Sequence, residues 1–219
     1  MPHAAEQIII TSRDGLAISA LLIPGTADAP GVVVLHGAGS CKENHLDFAE
    51  RVADAGMWAL VPDLRGHGDT GGAMDAGMPG DALACLDELR VRGAGALALR
   101  GSSMGGFLAL NAAVAHPGVR AVVAICPAQA DSLARLFGQD WPRALPLHDA
   151  VWRTDGVARG FWHARGDETV PWSETLRLYS RAQQPKHLRV KMRGDHRSLQ
   201  HDPNVQADTI QFLLEHLHA

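Results

Sequence analysis

The sequence has few cysteines and no long hydrophobic run. Its three cysteines, Cys41, Cys85 and Cys126, are an odd number, lie far apart and form no CxxC pair. This pattern favours reduced thiols in a cytoplasmic protein over a disulfide framework. No apolar run approaches the roughly 20 residues that span a membrane, and the first residues, MPHAAEQIII, lack the basic start and apolar centre of a signal peptide. We therefore expect a cytoplasmic protein without a membrane segment.

The sequence also lacks a strong excess of either positive or negative charge. The 20 Lys and Arg residues against 24 Asp and Glu residues leave a net charge of −4, with no basic stripe, so nucleic acid is not an expected partner. None of the 12 histidines falls in an HExxH motif, and we expect neither a metal nor an organic cofactor. A chain of 219 residues that is 46% apolar is long enough to bury a sizeable core.

Apolar segments and helix-like segments alternate along most of the chain. The predicted strands are Gln7–Arg13, Leu16–Ile23 and the segments GVVVLHG, MWALVPD, GALALRG, VRAVVAICP, GFWHARGD and KHLRVKMRG. The predicted helices are Lys42–Gly56, Asp81–Val91, Met104–Ala115, Ser173–Arg181 and Asp202–His218. This rhythm predicts one α/β domain over residues 1–219: a mostly parallel, doubly wound sheet of about eight strands, with an N-terminal antiparallel hairpin and helices on both faces.

Two stretches interrupt this alternation of predicted strands and helices. Residues Gly66–Gly80 hold six glycines and are predicted to form a loop. The stretch Pro127–Val157 lies between two predicted strands, shows no regular pattern and contains Trp141 and Trp152. An irregular segment of that length inside a compact domain usually serves function, so we predict a small cap-like insertion.

The segment GSSMGG, which begins at Gly101, places two serines between a predicted strand and a predicted helix. It fits the pattern GxSxG in the strand–turn–helix setting of a nucleophile elbow. The positions two before and two after the serine must be small, because a Cβ there would strike the adjacent strand and helix. Ser103 is then the predicted nucleophile and Ser102 a packing residue. The alternative is a plain glycine-rich turn with an incidental serine.

A nucleophilic serine needs a base and an acid that orients the base. In this kind of fold the chain order is serine, acid, histidine. Asp167 in GDETVP is the candidate acid, with Glu168 as its rival, and a simple turn beside a helix cap is the alternative. His196 in GDHRSL is the candidate base, with His201 as its rival, and a surface histidine is the alternative. Because all three follow predicted strands in the required order, the set is more specific than any member.

The loop HGAGSCKEN follows the predicted strand GVVVL and supplies the second half of an oxyanion hole. We assign the backbone N–H groups of Ala38 and Met104 as the two donors, since glycines on either side of Ala38 let a bound oxygen approach. Three tryptophans lie in segments that are candidates for the wall of an acyl pocket: Trp141, Trp152 and Trp172. Ordinary aromatic packing is the alternative for each.

These motifs together resemble the α/β-hydrolase family over nearly the whole chain. The matching segments are VVLHGAGS, PDLRGHGDTGG, GSSMGG, GDETVP and GDHRSL. The resemblance implies the same triad and oxyanion donors, and it implies structural roles for Asp63, Arg65 and His67. The compact size and small insertion look like the dienelactone-hydrolase and small carboxylesterase branch, although a dienelactone hydrolase normally carries cysteine at the position of Ser103.

The expected function is a serine hydrolase that cleaves carboxylic esters of small or medium acyl groups through an acyl-serine intermediate. The alternatives are a thioesterase or a serine peptidase with the same triad, and a non-catalytic ligand-binding protein of the same fold. The expected partner is a small-molecule ester. The oligomeric state stays open between monomer and homodimer.

Overall fold

The computed structural model describes residues 3–145, 147–153 and 156–217. Eight strands form one sheet in the order β1-β2-β4-β3-β5-β6-β7-β8. The strands are β1 (Glu6–Thr11), β2 (Ala17–Ile23), β3 (Gly31–Leu35), β4 (Trp58–Pro62), β5 (Leu97–Ser102), β6 (Val119–Ile125), β7 (Ala158–Ala164) and β8 (Lys186–Lys191). The helices are α1 (Leu46–Asp54), α2 (Met78–Val91), α3 (Met104–Ala115), α4 (Ala130–Phe137), α5 (Leu147–Trp152), α6 (Trp172–Arg181) and α7 (Pro203–Leu217).

The sheet is antiparallel at one edge and parallel elsewhere. Strand β1 pairs antiparallel with β2, and β2 pairs antiparallel with β4. Strands β4, β3, β5, β6, β7 and β8 then run parallel to one another. This confirms the predicted α/β architecture with an N-terminal hairpin. All carboxyl ends of the parallel strands meet at one edge, which is where the loops that bind ligands lie in such sheets.

The helices cover both faces of the sheet, and the strands between its two edges are buried, β3 to β7 almost completely. Leu97 and Leu99 of β5 belong to the apolar cluster that includes α2 and α3, whereas Ala98 belongs to the cluster that includes α1 and α7. Since side chains alternate along a strand, the next even-numbered residue, Arg100, points to the α1 and α7 face. Among the described residues, no helix combines the length and apolar character that crossing a membrane requires.

Helix boundaries differ from the predictions by more than one residue at two places. The glycine-rich stretch ends earlier than expected, because α2 begins at Met78 with Pro79 in its first turn, a position where the missing N–H of proline costs no hydrogen bond. The predicted helix Lys42–Gly56 divides into a 3-10 turn over Lys42–His45 and helix α1. The last helix, α7, begins at Pro203, and the predicted end at His218 lies outside the described residues.

The insertion Pro127–Val157 is not irregular, which corrects the prediction. It contains α4, a 3-10 turn over Trp141–Ala144 and α5, while Pro146, Thr154 and Asp155 lie outside the described residues. Each helix is short and α4 has a strongly one-sided apolar pattern. Helix α5 packs against α3 and α6, so much of the insertion completes the outer layer of the domain.

Candidate active site

Ser103 occupies a sharp turn between β5 and α3. Its backbone angles are φ 52° and ψ −116°, and a positive φ is strained for any residue with a side chain. The surrounding backbone holds this conformation, since the N–H of Ser103 donates to the Ile125 carbonyl (2.9 Å) and its carbonyl accepts from the N–H groups of Phe107 (3.1 Å) and Ala128 (3.0 Å). The half-buried Ser103 side chain therefore stands at the carboxyl edge of the sheet.

Glycine is required on both sides of this turn. A Cβ on Gly101 would collide with the carbonyl oxygen of Gly105, and a Cβ on Gly105 would collide with the carbonyl oxygen of Leu35. The small residues at these two positions, which the sequence pattern predicted, thus allow β3, β5 and α3 to approach closely around Ser103.

The structure brings the three predicted triad residues together. His196 Nε2 lies 2.9 Å from Ser103 Oγ, and His196 Nδ1 lies 2.7 Å from Asp167 Oδ2. The two rivals are not part of this hydrogen-bonded chain: Glu168 is exposed, and His201 Nδ1 lies 3.2 Å from Asp47 Oδ2. The distances suit proton transfer from the serine hydroxyl to an imidazole that a carboxylate orients.

The two carboxylate oxygens of Asp167 have different hydrogen-bond partners. Oδ1 accepts the N–H groups of Thr169 and Val170, both at 2.8 Å, and Oδ2 lies 2.7 Å from His196 and 3.3 Å from His163. Burial acts to raise the pKa of Asp167, but hydrogen bonds from His163, His196 and Val170 outweigh it and hold the pKa well below its ordinary value. The carboxylate is therefore ionised at neutral pH.

His163 is a neighbour of the site that the sequence reasoning missed. It is fully buried in β7, and its Nε2 lies 2.9 Å from the Val170 carbonyl while its Nδ1 lies 2.7 Å from Thr175 Oγ1. Donation from Nε2 to the carbonyl leaves Nδ1 to accept the threonine hydroxyl proton. A histidine inside an apolar strand, four residues before the candidate acid, was the signal available in the sequence.

Cys126 lies beside the triad. Among the described residues, one group of potential metal ligands comes together, namely Cys126, Asp167 and His196, whose ligand atoms lie within 4.8 Å of one another. Burial raises the pKa of the Cys126 thiol, so the thiolate that a metal would need is disfavoured. Asp167 and His196 are also engaged with each other, so this arrangement suits proton transfer better than cation binding.

The loop after β3 faces Ser103 and is anchored from below by a neutral histidine. His36 Nδ1 lies 2.8 Å from the Gly37 carbonyl, and His36 Nε2 accepts the N–H of Leu64 at 3.0 Å. Burial lowers the pKa of His36 to about 4, which keeps Nε2 available as an acceptor. Ala38 lines the same pocket as Ser103, and Met104 is the first residue of α3, where an N–H has no partner within the helix.

A buried ion pair ties the far end of this loop to the loop after β4. Asp63 Oδ1 accepts the N–H of Lys42, and Asp63 Oδ2 accepts from Lys42 Nζ, both at 2.7 Å. Lys42 was not singled out from the sequence, because nothing local marks a lysine as buried. The other two residues of the PDLRGHGDT segment with predicted structural roles are also buried: Arg65 pairs with Asp14, Asp75 and Asp81, and His67 Nδ1 lies 3.1 Å from the Arg65 carbonyl.

A pocket of about 430 Å³ opens above Ser103. Its wall has polar and apolar surface in similar amounts and comes from the loop after β3, the elbow, the loops that carry Thr169 and His196, and one apolar side chain of α4, Leu136. The lining residues are Gly37, Ala38, Gly39, Ser40, Asn44, Ser102, Ser103, Leu136, Thr169, His196, Arg197, Gln200 and His201.

The three tryptophans are not part of this lining, which corrects the expectation of an aromatic pocket wall. Trp141 stacks on Phe137 (5.7 Å between ring centroids) and donates its indole N–H to the Met74 carbonyl. Trp152 is 63% exposed on α5, and Trp172 lies under the guanidinium of Arg165. For Trp141 and Trp152 the reason is the orientation of the insertion: α5 packs against α3 and α6, and among the insertion's described residues Leu136 of α4 reaches the pocket.

Comparison with known proteins identifies the family. Residues 27–211 match the family described as "Serine aminopeptidase, S33". The uncharacterized protein YfhR of Salmonella typhi is 26% identical over 223 residues, covering 89% of this chain and 75% of YfhR. The Pyrococcus furiosus esterase Pf2001 superposes with a TM-score of 0.82 at 19% identity, covering 98% of this chain and 92% of that one.

A second solved structure shows the same fold. Est1E from Butyrivibrio proteoclasticus, solved with ferulic acid, superposes with a TM-score of 0.81 at 18% identity, covering 97% of this chain and all of that one. The family match spans most of the chain, and it agrees with the sheet order and the elbow. The protein is therefore a hydrolase of the serine aminopeptidase S33 family, within the α/β-hydrolase superfamily.

Proposed function

We propose that this protein is a serine hydrolase that cleaves carboxylic esters of small or medium acyl groups through an acyl-enzyme on Ser103. The observation that carries the proposal is the continuous hydrogen-bonded chain from Ser103 through His196 to Asp167, set at a strained elbow that opens into a pocket. No metal or organic cofactor is needed for this chemistry.

The reaction follows from the geometry of the chain. His196 Nε2 takes the hydroxyl proton as Ser103 Oγ attacks the ester carbonyl, and Asp167 stabilises the imidazolium that forms. The N–H groups of Ala38 and Met104 bind the oxyanion, and losing one such donor typically costs about 10²–10³ in rate. His196 then protonates the leaving alkoxide. A water molecule, deprotonated by His196, releases the acid from Ser103.

The pocket supports an ester over a peptide with a free N-terminus. No Asp or Glu is among the described residues that line it, so a substrate ammonium group would find no carboxylate partner there. Pf2001 carries the name esterase, and Est1E binds ferulic acid, which is in keeping with an ester substrate.

We also propose that the protein is cytoplasmic, since Cys41, Cys85 and Cys126 are free thiols.

The test is hydrolysis of p-nitrophenyl esters of graded acyl length by the wild type and by Ser103→Ala. Removal of the nucleophile is expected to lower kcat by about 10⁴-fold or more. Ser132→Ala, which alters an exposed serine on α4, serves as the matched control and should keep the wild-type rate. The acyl length with the highest kcat/KM would show how long an acyl chain the pocket accommodates.

A fluorophosphonate probe completes the test. Stoichiometric labelling of the wild type and none of Ser103→Ala would support the nucleophile even if the chosen esters turn over slowly, and thioesters and amides would then be compared. If the wild type neither hydrolyses any ester, thioester or amide nor takes up the label, the catalytic proposal is wrong and a ligand-binding role on the same fold replaces it.

A further inference from the structure

A buried arginine lies behind one wall of the pocket without an ion pair among the described residues. Arg100, near the end of β5, is 1% exposed. One of its terminal nitrogens donates to the Gln200 carbonyl at 2.7 Å, and its guanidinium lies 4.0 Å above the ring of Phe48. Burial lowers the pKa of Arg100 to about 10, so the group is a cation at neutral pH. The charge of Asp47 acts on Arg100, but the two form no ion pair, whereas buried charges are normally paired directly.

Other polar atoms on the same side of the sheet also lack partners. Six buried side-chain atoms have no hydrogen-bond partner in the described part of the chain, and four of them belong to His45, Arg100, Ser102 and Gln200. Ser102 and Gln200 line the pocket. The His45 ring lies 5.7 Å from that of His201, another lining residue. Because buried polar groups are ordinarily satisfied, this concentration points to a polar ligand group bound at this end of the pocket.

The charge of the wall indicates what that group is. The ionisable residues in the described lining are His196, Arg197 and His201, all of them basic. The acid on this side, Asp47, is already engaged, since its Oδ2 lies 3.2 Å from His201 Nδ1 and accepts from the Gln206 side-chain amide at 2.7 Å. The wall thus offers positive charge and hydrogen-bond donors, and it offers no free carboxylate to a cation.

We propose that this end of the pocket binds a carboxylate on the substrate, so that the preferred esters are anionic. The inference rests on the proposed ester hydrolysis and adds its substrate class. In this arrangement Arg100 supplies the counter-charge from behind the wall. The Ser102 hydroxyl and the Gln200 amide, after a rotation that presents its nitrogen, donate hydrogen bonds to the carboxylate.

Matched esters test the inference on the wild-type enzyme. The p-nitrophenyl monoester of glutaric acid is compared with its neutral methyl ester and with the cationic p-nitrophenyl ester of 5-aminopentanoic acid. We expect kcat/KM about tenfold higher for the anionic ester than for the neutral one, with the cationic ester lowest, from the Coulomb energy of one unit charge near the buried guanidinium. Equal values, or a preference for the neutral ester, both here and in the leaving-group pair described next, would overturn the inference.

A second pair of esters locates the charge. The acetyl ester of 4-hydroxybenzoate is compared with the acetyl ester of methyl 4-hydroxybenzoate, so that the carboxylate lies in the leaving group. A preference for the anionic member of this pair assigns the carboxylate to the alcohol part. A preference only in the glutaryl pair assigns it to the acyl part, and either result supports an anionic subsite.

Variants of Arg100 connect the preference to the buried guanidinium. Arg100→Gln should remove most of the preference for the anionic ester, and Arg100→Lys should retain part of it. Arg159→Gln is the matched control, because Arg159 is also a buried arginine but lies in β7, bonded to the Ala150 and Val157 carbonyls. A full preference in folded Arg100→Gln would contradict the assignment.

Direct binding separates this inference from the proposed function. Calorimetry on Ser103→Ala should show tighter binding of glutarate than of glutaramide, whether or not esters are the true substrates. If the wild type hydrolyses neutral esters with no charge preference and glutarate binds no better than glutaramide, the subsite is refuted while the esterase stands. Ester inertness together with selective glutarate binding would refute the esterase and keep the subsite.

Discussion

Asp167 shows how much a single residue contributes to the geometry of the site. Its Oδ1 is fixed by two backbone N–H groups of its own loop, and its Oδ2 meets His196. A carboxylate held in this way has little freedom to rotate, so it selects one imidazole tautomer, with the proton on Nδ1. The neighbouring Glu168 has the same chemistry but is exposed. The role is therefore decided by position and not by residue type.

Replacement of Asp167 by asparagine should separate these two neighbours. We expect Asp167→Asn to lower kcat/KM for a p-nitrophenyl ester by about 10⁴-fold, because an amide favours the wrong imidazole tautomer. Glu168→Gln, the matched control, should stay within about twofold of the wild type, as expected for a residue outside the hydrogen-bonded chain. A loss of similar size in Glu168→Gln would show that the acid is misassigned. Thermal unfolding would verify that both variants are folded.

The turn between β5 and α3 is the element that sets the position of the nucleophile. Strand β3 lies beside β5, and the first turn of α3 rests against the end of β3 so closely that Gly105 has the Leu35 carbonyl where a Cβ would stand. At the other side of the turn, a Cβ on Gly101 would likewise collide with a backbone carbonyl oxygen, that of Gly105. The strain at Ser103 is therefore maintained by packing of three elements, not by the local sequence alone.

A methyl group at Gly101 should disrupt this element. We expect Gly101→Ala to lower the free energy of unfolding by about 3 kcal/mol, since the added Cβ must displace a backbone carbonyl instead of a flexible side chain. Gly71→Ala is the control, because no atom lies within 4 Å of the Cβ that it would add. Urea unfolding of the two variants measures the difference. Equal stability would mean that the turn can relax without cost.

At the scale of the whole molecule, buried histidines couple stability to pH. Burial lowers the pKa of His36 to about 4 and that of His45 to about 3, from an ordinary 6.5. Both rings are fully buried near the loop after β3. The unfolded chain binds protons to these rings more tightly than the folded one does. Their contribution to stability is therefore complete above pH 6.5 and is lost as the pH falls toward 4 and 3.

The free energy of unfolding should accordingly fall on acidification well before the carboxylates titrate. Between pH 7 and pH 5 we expect a loss of about 4 kcal/mol from the two rings together. Denaturant unfolding at pH 7, 6 and 5 measures it. His45→Gln should show about half of that pH dependence, and His3→Gln, a change at the surface, should leave it unaltered. A flat profile in the wild type would mean that the rings are hydrated in the folded protein.

The fold and much of the candidate site followed from local patterns. The apolar segments predicted the strands, because each buried strand requires its own run of apolar residues, and GSSMGG marked the elbow, because glycine is needed where backbones touch. Asp167 and His196 were found through their positions after strands, and the structure brings both to Ser103. The periodicity did not reveal how the insertion is oriented, and so Trp141 and Trp152 were misplaced.

What the sequence by itself determined is the order of elements, the family and the three residues that meet at the sheet edge. Only the tertiary structure decided which polar residues are buried and what they face. Lys42 pairs with Asp63 across 21 positions, and Arg100 reaches the Gln200 carbonyl across 100. The reason is physical: a charged side chain looks alike in sequence whether it is solvated or buried, and its energy depends on neighbours that long-range packing supplies.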